Sequence, residues 1–174
     1  MRYRWNQGTR GSRSGSSPNG PAYGSGVEFH LAQVNIGRMA APLDSAQMAD
    51  FMNNLDPVNA LAEASPGFVW RLQTDEGNAT SISAFDDPLI IMNMSVWTDI
   101  ESLRAYVYGS THVEFLRRRA EFFTRMTEAF LALWWVPVGT IPTIEEAQER
   151  LDHLRTHGPT THAFTLRQSF PPPD

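Results

Sequence analysis

Two segments, FHLAQVNIG (29–37) and LIIMNMSVW (89–97), alternate with a period of two, and this limits the fold more than any other feature of the chain. In the later segment Ile90, Met92, Met94 and Val96 share one side, while Ile91, Asn93, Ser95 and Trp97 share the other. In the earlier one Ala32, Val34 and Ile36 oppose Leu31, Gln33 and Asn35. Such strands build a sheet with one apolar face and one face of amides and an indole. The apolar face is expected to pack on helices. The other reads as the wall of a ligand pocket or as a seam with a second sheet, because indoles are unusual on a wetted surface. Two further strands, FVWRLQT (68–74) and LALWWVP (131–137), add either Trp70 or Arg71 and one of Trp134 and Trp135, with Trp135 assigned to the pocket.

Helices fill the intervals. One is expected from Asp44 or Ser45, broken at Asp56-Pro57 and restarting to about Ala64. Three capping boxes, Thr98/Glu101, Thr111/Glu114 and Thr143/Glu146, predict helices near 99–108, 112–128 and 144–157, and Gly158-Pro159 ends the last before a short strand at AFTLR. The order β-α-β-β-α-β with additions predicts an α+β ferredoxin-like sandwich with an extra C-terminal helix.

The expected helix at 112–128 gathers Phe115, Leu116, Phe122, Phe123, Met126 and Phe130 on one arc with His112 and Arg119 at its centre. A guanidinium there needs either a carboxylate partner or a cavity holding a ligand. Arg119 suits an anionic ligand group, a carboxylate or a phenolate. His112 follows the cap Thr111 at the positive end of a helix dipole, which favours a neutral ring fit to act as a base or ligand; the plainer alternative is a histidine bonded to the cap or turn.

Composition removes several chemistries. There is no cysteine, and all 14 basic residues are arginine, so thiolate and Schiff-base catalysis are absent. Residues 1–27 carry four arginines and no acid, and read as a disordered Gly/Ser/Arg tail before a domain at 28–170. The rest of the chain after residue 27 carries ten arginines against nineteen acidic residues, which disfavours nucleic acid as a partner. No apolar run reaches the roughly 20 residues of a membrane span, so a cytoplasmic location is expected. His153 and His157 lie four apart, but opposite the apolar stripe Ile144, Ala147, Leu151 and Leu154, and no metal site is expected from them. No glycine-rich nucleotide motif is present.

The segments HLAQVN (30–35), LDPVNALAEASPGFVWRLQ (55–73), NMSVW (93–97), YGSTHVEFLRRRAEFF (108–123), LWWVP (133–137) and PTIEEAQERLDHLRTHGPT (142–160) resemble the family called domain of unknown function 3291. The resemblance implies the dimeric α/β-barrel superfamily, which includes antibiotic-biosynthesis and haem-degrading monooxygenases, and hence a homodimer. Haem-degrading members use an Asn on the first strand, a Trp ending the third and a His on a following helix; Asn35, Trp97 and His112 stand in analogous places. The expectation is a monooxygenase-like enzyme acting on a small, flat, apolar or phenolic molecule with no cofactor. His112, Asn35 and Trp97 are its catalytic candidates, and Gln33, Trp70, Arg71, Asn93, Ser95, Arg119 and Trp135 would line its pocket. The alternative is a non-catalytic dimer binding haem, through His112, or a hydrophobic metabolite.

Overall fold

The computed structural model describes residues 27–74, 77–80, 82, 84–109 and 118–174. Expectations for the tail and for the Thr111/Glu114 capping box therefore fall outside the described residues. Strand β1 spans Phe29–Arg38, α1 Ala49–Ala64, β2 Phe68–Arg71, β3 Ile90–Trp97, α2 Ile100–Tyr108, β4 Leu131–Pro137 and α3 Ile144–His157. The strands form one antiparallel sheet in the order β2-β3-β1-β4, which is the ferredoxin-like arrangement. No helix among the described residues is long and apolar enough to cross a membrane.

Register confirms the reading of side-chain parity. Gln33 lies opposite Ser95 and Leu133, Asn35 opposite Asn93 and Leu131, and Leu31 opposite Trp97 and Trp135. On the other face Val34, Met94, Val96 and Trp134 are buried against Ala147, Leu151 and Leu154 of α3. Each such aliphatic side chain contributes roughly 1.5–3 kcal/mol when fully withdrawn from water.

The polar-and-indole face is covered as well, which corrects the expectation that helices take the apolar face alone. Ala62 of α1, Ile100 and Leu103 of α2, and Phe164 beyond α3 bury Leu31, Trp97 and Leu133. The reason is that α2 has its own stripe, Ile100, Leu103, Tyr106 and Val107, and this end of the sheet supplies an apolar match. The segment after α3 is tied down by an antiparallel bridge between Leu133 and Phe164, by Arg104 Nη2 donating to the Leu166 carbonyl at 2.8 Å, and by Trp135 Nε1 donating to the Phe170 carbonyl at 2.9 Å.

Three local expectations also change. Pro57 does not break α1, which runs through it. The cap of α2 is Asp99 rather than Thr98: its carboxylate accepts from the Ser102 amide at 2.7 Å, while Thr98 Oγ1 donates to that carboxylate. At α3 the expected cap holds, with Thr143 Oγ1 accepting from the Glu146 amide at 3.1 Å. The helix expected to reach 128 is helical only over 118–122 among its described residues. Beyond it Phe123 bridges Met39, the Thr124 amide donates to the Arg38 carbonyl, and the Ile36 amide donates to the Phe130 carbonyl. The open backbone of β1 thus outcompetes further helical turns, and Met126 and Phe130 leave the arc on which the helix would have placed them.

Candidate functional site

The polar row of the sheet is held by a relay between β1 and β3. Trp97 Nε1 donates to Ser95 Oγ at 2.9 Å, and Ser95 Oγ donates to Gln33 Oε1 at 3.0 Å. Gln33 and Ser95 are only 6% and 7% exposed. Because the relay takes the carbonyl end of Gln33, its amide nitrogen is left buried with no hydrogen-bond partner among the described residues. An unpaired buried donor costs about 1–3 kcal/mol, which an oxygen-bearing ligand would recover.

From Gln33 the row runs toward solvent. Asn35 is half-buried, Asn93 opposite it is exposed, and neither amide has a hydrogen bond among the described residues. At the far end Phe123 lies on Gly37, where an added Cβ would come within 2.7 Å of the ring. Glycine is what lets that ring lie on the sheet two residues from Asn35. The Arg119 guanidinium lies 5.8 Å from the centre of the same ring and 4.4 Å from that of Phe130. Burial lowers its pKa, and no carboxylate pairs with it among the described residues. Of the two arrangements expected for it, the carboxylate partner is not found among the described residues, and aromatic faces hold the cation instead.

Arg71 lies opposite Ser95 and bonds Glu63 of α1 at 2.7 Å, with its side chain 12% exposed. The structure thereby chooses between the two β2 candidates: Arg71 is on the site face, and Trp70, opposite Val96, packs into the other core. Trp70 is accordingly removed from the pocket lining. Trp135 is on the site face as expected, and Trp134 is on the other, its Nε1 donating to Glu146 at 2.9 Å.

Trp97 is on the expected face but is not open to a ligand. It is 1% exposed, stacked on Tyr106 with ring centres 5.1 Å apart and met edge-on by Phe68 at 5.4 Å. Its place is to hold Ser95 and hence Gln33, rather than to stack on a ligand. Tyr106 was not among the sequence candidates. Burial pushes its phenol up to about 12, and the nearby Arg71 charge works against that rise. The α2 stripe of Ile100, Leu103 and Tyr106 was the signal that could have found it. His112 lies outside the described residues.

The family model described as "Domain of unknown function (DUF3291)" matches residues 30–174. The chain belongs to that family. No curated protein matches the sequence. Among solved structures the chain is similar to SnoaB, a cofactor-independent oxygenase from Streptomyces nogalater, at 18% identity and a TM-score of 0.46, covering 66% of this chain and 98% of that one. It is also similar to NE2512, a protein of unknown function from Nitrosomonas europaea, at 16% identity and a TM-score of 0.42 over 68% and 97% of the two chains. PA3566 from Pseudomonas aeruginosa matches at 12% identity and a TM-score of 0.43, over 67% and 100%.

Proposed function

We propose that this family member is a monooxygenase-like enzyme that oxidises a small, flat, apolar or phenolic molecule with dioxygen, without flavin or nucleotide. The observation that carries the reading is the buried Gln33 amide, unpartnered among the described residues, at the head of a row that continues through Asn35 and Asn93, bordered by Arg71 and by the aromatic rings of Phe123 and Tyr106. Donors fixed in a dry site stabilise charge that develops on a substrate oxygen, because they need not reorganise as it forms.

In this reading the phenol oxygen accepts from Gln33 Nε2, and Asn35 and Asn93 hold a second oxygen substituent. His112 accepts the phenol proton. The phenolate passes one electron to dioxygen, and the resulting radical pair combines to a ring hydroperoxide, which loses water to leave a quinone. One dioxygen and one phenol thus give one quinone and one water. Arg119 favours anionic substrates from the far end of the row, and Trp97 acts through Ser95. The homodimer implied by the superfamily is part of the proposal. Helix α3 covers the apolar face, and α1, α2 and Phe164 cover the Leu31, Trp97 and Leu133 end of the other, so the seam forms away from these as long as α3 stays docked.

The test is an oxygen-electrode assay on metal-stripped, flavin-free protein with a planar polycyclic phenol. Consumption of one dioxygen per quinone formed, lost in Gln33→Leu, is the expected result. Saturable binding of the phenol with no oxygen consumed would replace the enzyme with a binding protein.

A further inference from the structure

On the outer side of α3, away from the polar row, a carboxylate and two imidazoles converge. Glu149 and His153 stand one helical turn apart, and the chain returns over them after α3, turning at Gly158 with φ 72°. The return is fixed by the Thr160 amide donating to the Ala163 carbonyl and the His162 amide donating to Thr160 Oγ1 at 3.2 Å. It sets His162 Nε2 at 2.9 Å from both Glu149 oxygens and its ring centre 4.6 Å from that of His153. One ligand atom from each of Glu149, His153 and His162 lies within 4.8 Å of the other two. The His157 ring centre also lies 4.6 Å from that of His153.

We propose that Glu149, His153 and His162 bind a divalent transition-metal ion of the zinc class. Two imidazoles and one carboxylate are a ligand set suited to zinc, cobalt or nickel, and with three protein ligands the remaining position is left for water. The pair of histidines visible in the sequence, 153 and 157, is not the ligand pair. The site comes from 149 and 153 on one helix face together with a residue nine further on, beyond a turn. Glu149 and His162 are exposed, so an ion can enter from solvent.

Arg150 sets the terms of binding. Its Nη1 lies 2.6 Å from His162 Nδ1 and donates to the His162 carbonyl at 2.8 Å, and its Nη2 donates to Glu146 at 3.1 Å. A guanidinium only donates, so in this arrangement the neutral ring carries its proton on Nε2 and gives it to Glu149. The ion takes the place of that proton. The proton moves to Nδ1, and Arg150 keeps the carbonyl and Glu146 while releasing the ring. His153 likewise turns from Thr160 Oγ1, which it now meets at 2.9 Å. Bound metal would tie the return after α3 to the helix, and with it Phe164 and the segment across the polar row.

The experiment is titration of untagged full-length protein with Co2+, followed by d–d absorption, and with Zn2+, followed by calorimetry. Saturation at one ion per chain is expected, with affinity reduced at least tenfold in Glu149→Gln and in His162→Ala and unchanged in His30→Ala. Zn2+ at a hundredfold excess over Kd should raise Tm by about 5–10 °C. Circular dichroism checks that each variant is folded, and Glu149→Gln changes only an exposed side chain. Absence of saturable binding, or one-to-one binding unaltered in both site variants, would overturn the proposal.

Discussion

Ser95 gives its hydroxyl to Gln33 Oε1 at 3.0 Å across the β1–β3 ladder, and by doing so leaves the buried Gln33 amide nitrogen without a partner among the described residues. An unpaired buried donor costs about 1–3 kcal/mol of stability. Gln33→Leu should therefore hold or raise Tm while lowering kcat/KM for a phenol about tenfold or more, the loss of one hydrogen bond to a charged oxygen, ~1.5–3 kcal/mol. Thermal melts and steady-state kinetics on the same preparation check this. A lower Tm with unchanged kinetics would assign Gln33 to the core.

Trp97 and Asn93 should separate. Trp97→Ala removes a ring 1% exposed and packed on Tyr106 and Phe68, at a cost of about 3–5 kcal/mol. Met94→Ala, fully buried on the other face, should cost about 2–5 kcal/mol. Asn93→Ala changes an exposed side chain and should leave stability within about 0.5 kcal/mol while weakening substrate. Urea unfolding of the three variants reads the order directly.

The sequence made strand positions and parity legible because a period of two survives in β1 and β3 without interruption. It did not decide between Trp70 and Arg71, since β2 is short and its pairing shifts between Phe68 and Trp70. Nor did it show that α2 would claim the indole face, because two apolar stripes compete for two sheet faces and periodicity ranks neither. The overextended helix after Phe122 failed for a related reason: Phe123 and Thr124 gain backbone partners on Met39 and Arg38 that lie more than 80 residues away in the chain. His162 was invisible as a ligand because only the turn after α3 brings it to Glu149.

Tyr106 gives a pH signature. Its folded pKa is raised to about 12 from 10, so its contribution to stability is intact below pH 10 and is lost as pH rises through the folded value. Absorbance titration at alkaline pH should show one tyrosine ionising late and together with unfolding. Tyr106→Phe should remove that step.

Asp99 gives the acid counterpart. The Ser102 amide, and then the Ser102 and Thr98 side chains, hold its carboxyl below the usual 3.8 against a smaller rise from burial. Its stabilisation is present above pH 3.8 and lost as pH falls through the lowered folded value. Asp99→Ala should cost about 1 kcal/mol at neutral pH, and the difference from the parent should shrink in acid.

Removing residues 142–174 should uncover the apolar face that Ala147, Leu151 and Leu154 now bury, along with the Leu133 bridge on the other. Light scattering should then show association beyond the size of the parent, because so large an apolar patch is not tolerated in water. A truncated chain that stays at the size of the parent would mean that α3 is not the cover described.

The most direct test of the central claim is oxygen uptake by flavin-free protein with a planar phenol, compared between the parent and Gln33→Leu at matched folded fraction. The account predicts one dioxygen consumed per quinone in the parent and at least tenfold less in the variant. Equal uptake in both would contradict it, because the buried Gln33 donor would then have no part in the chemistry.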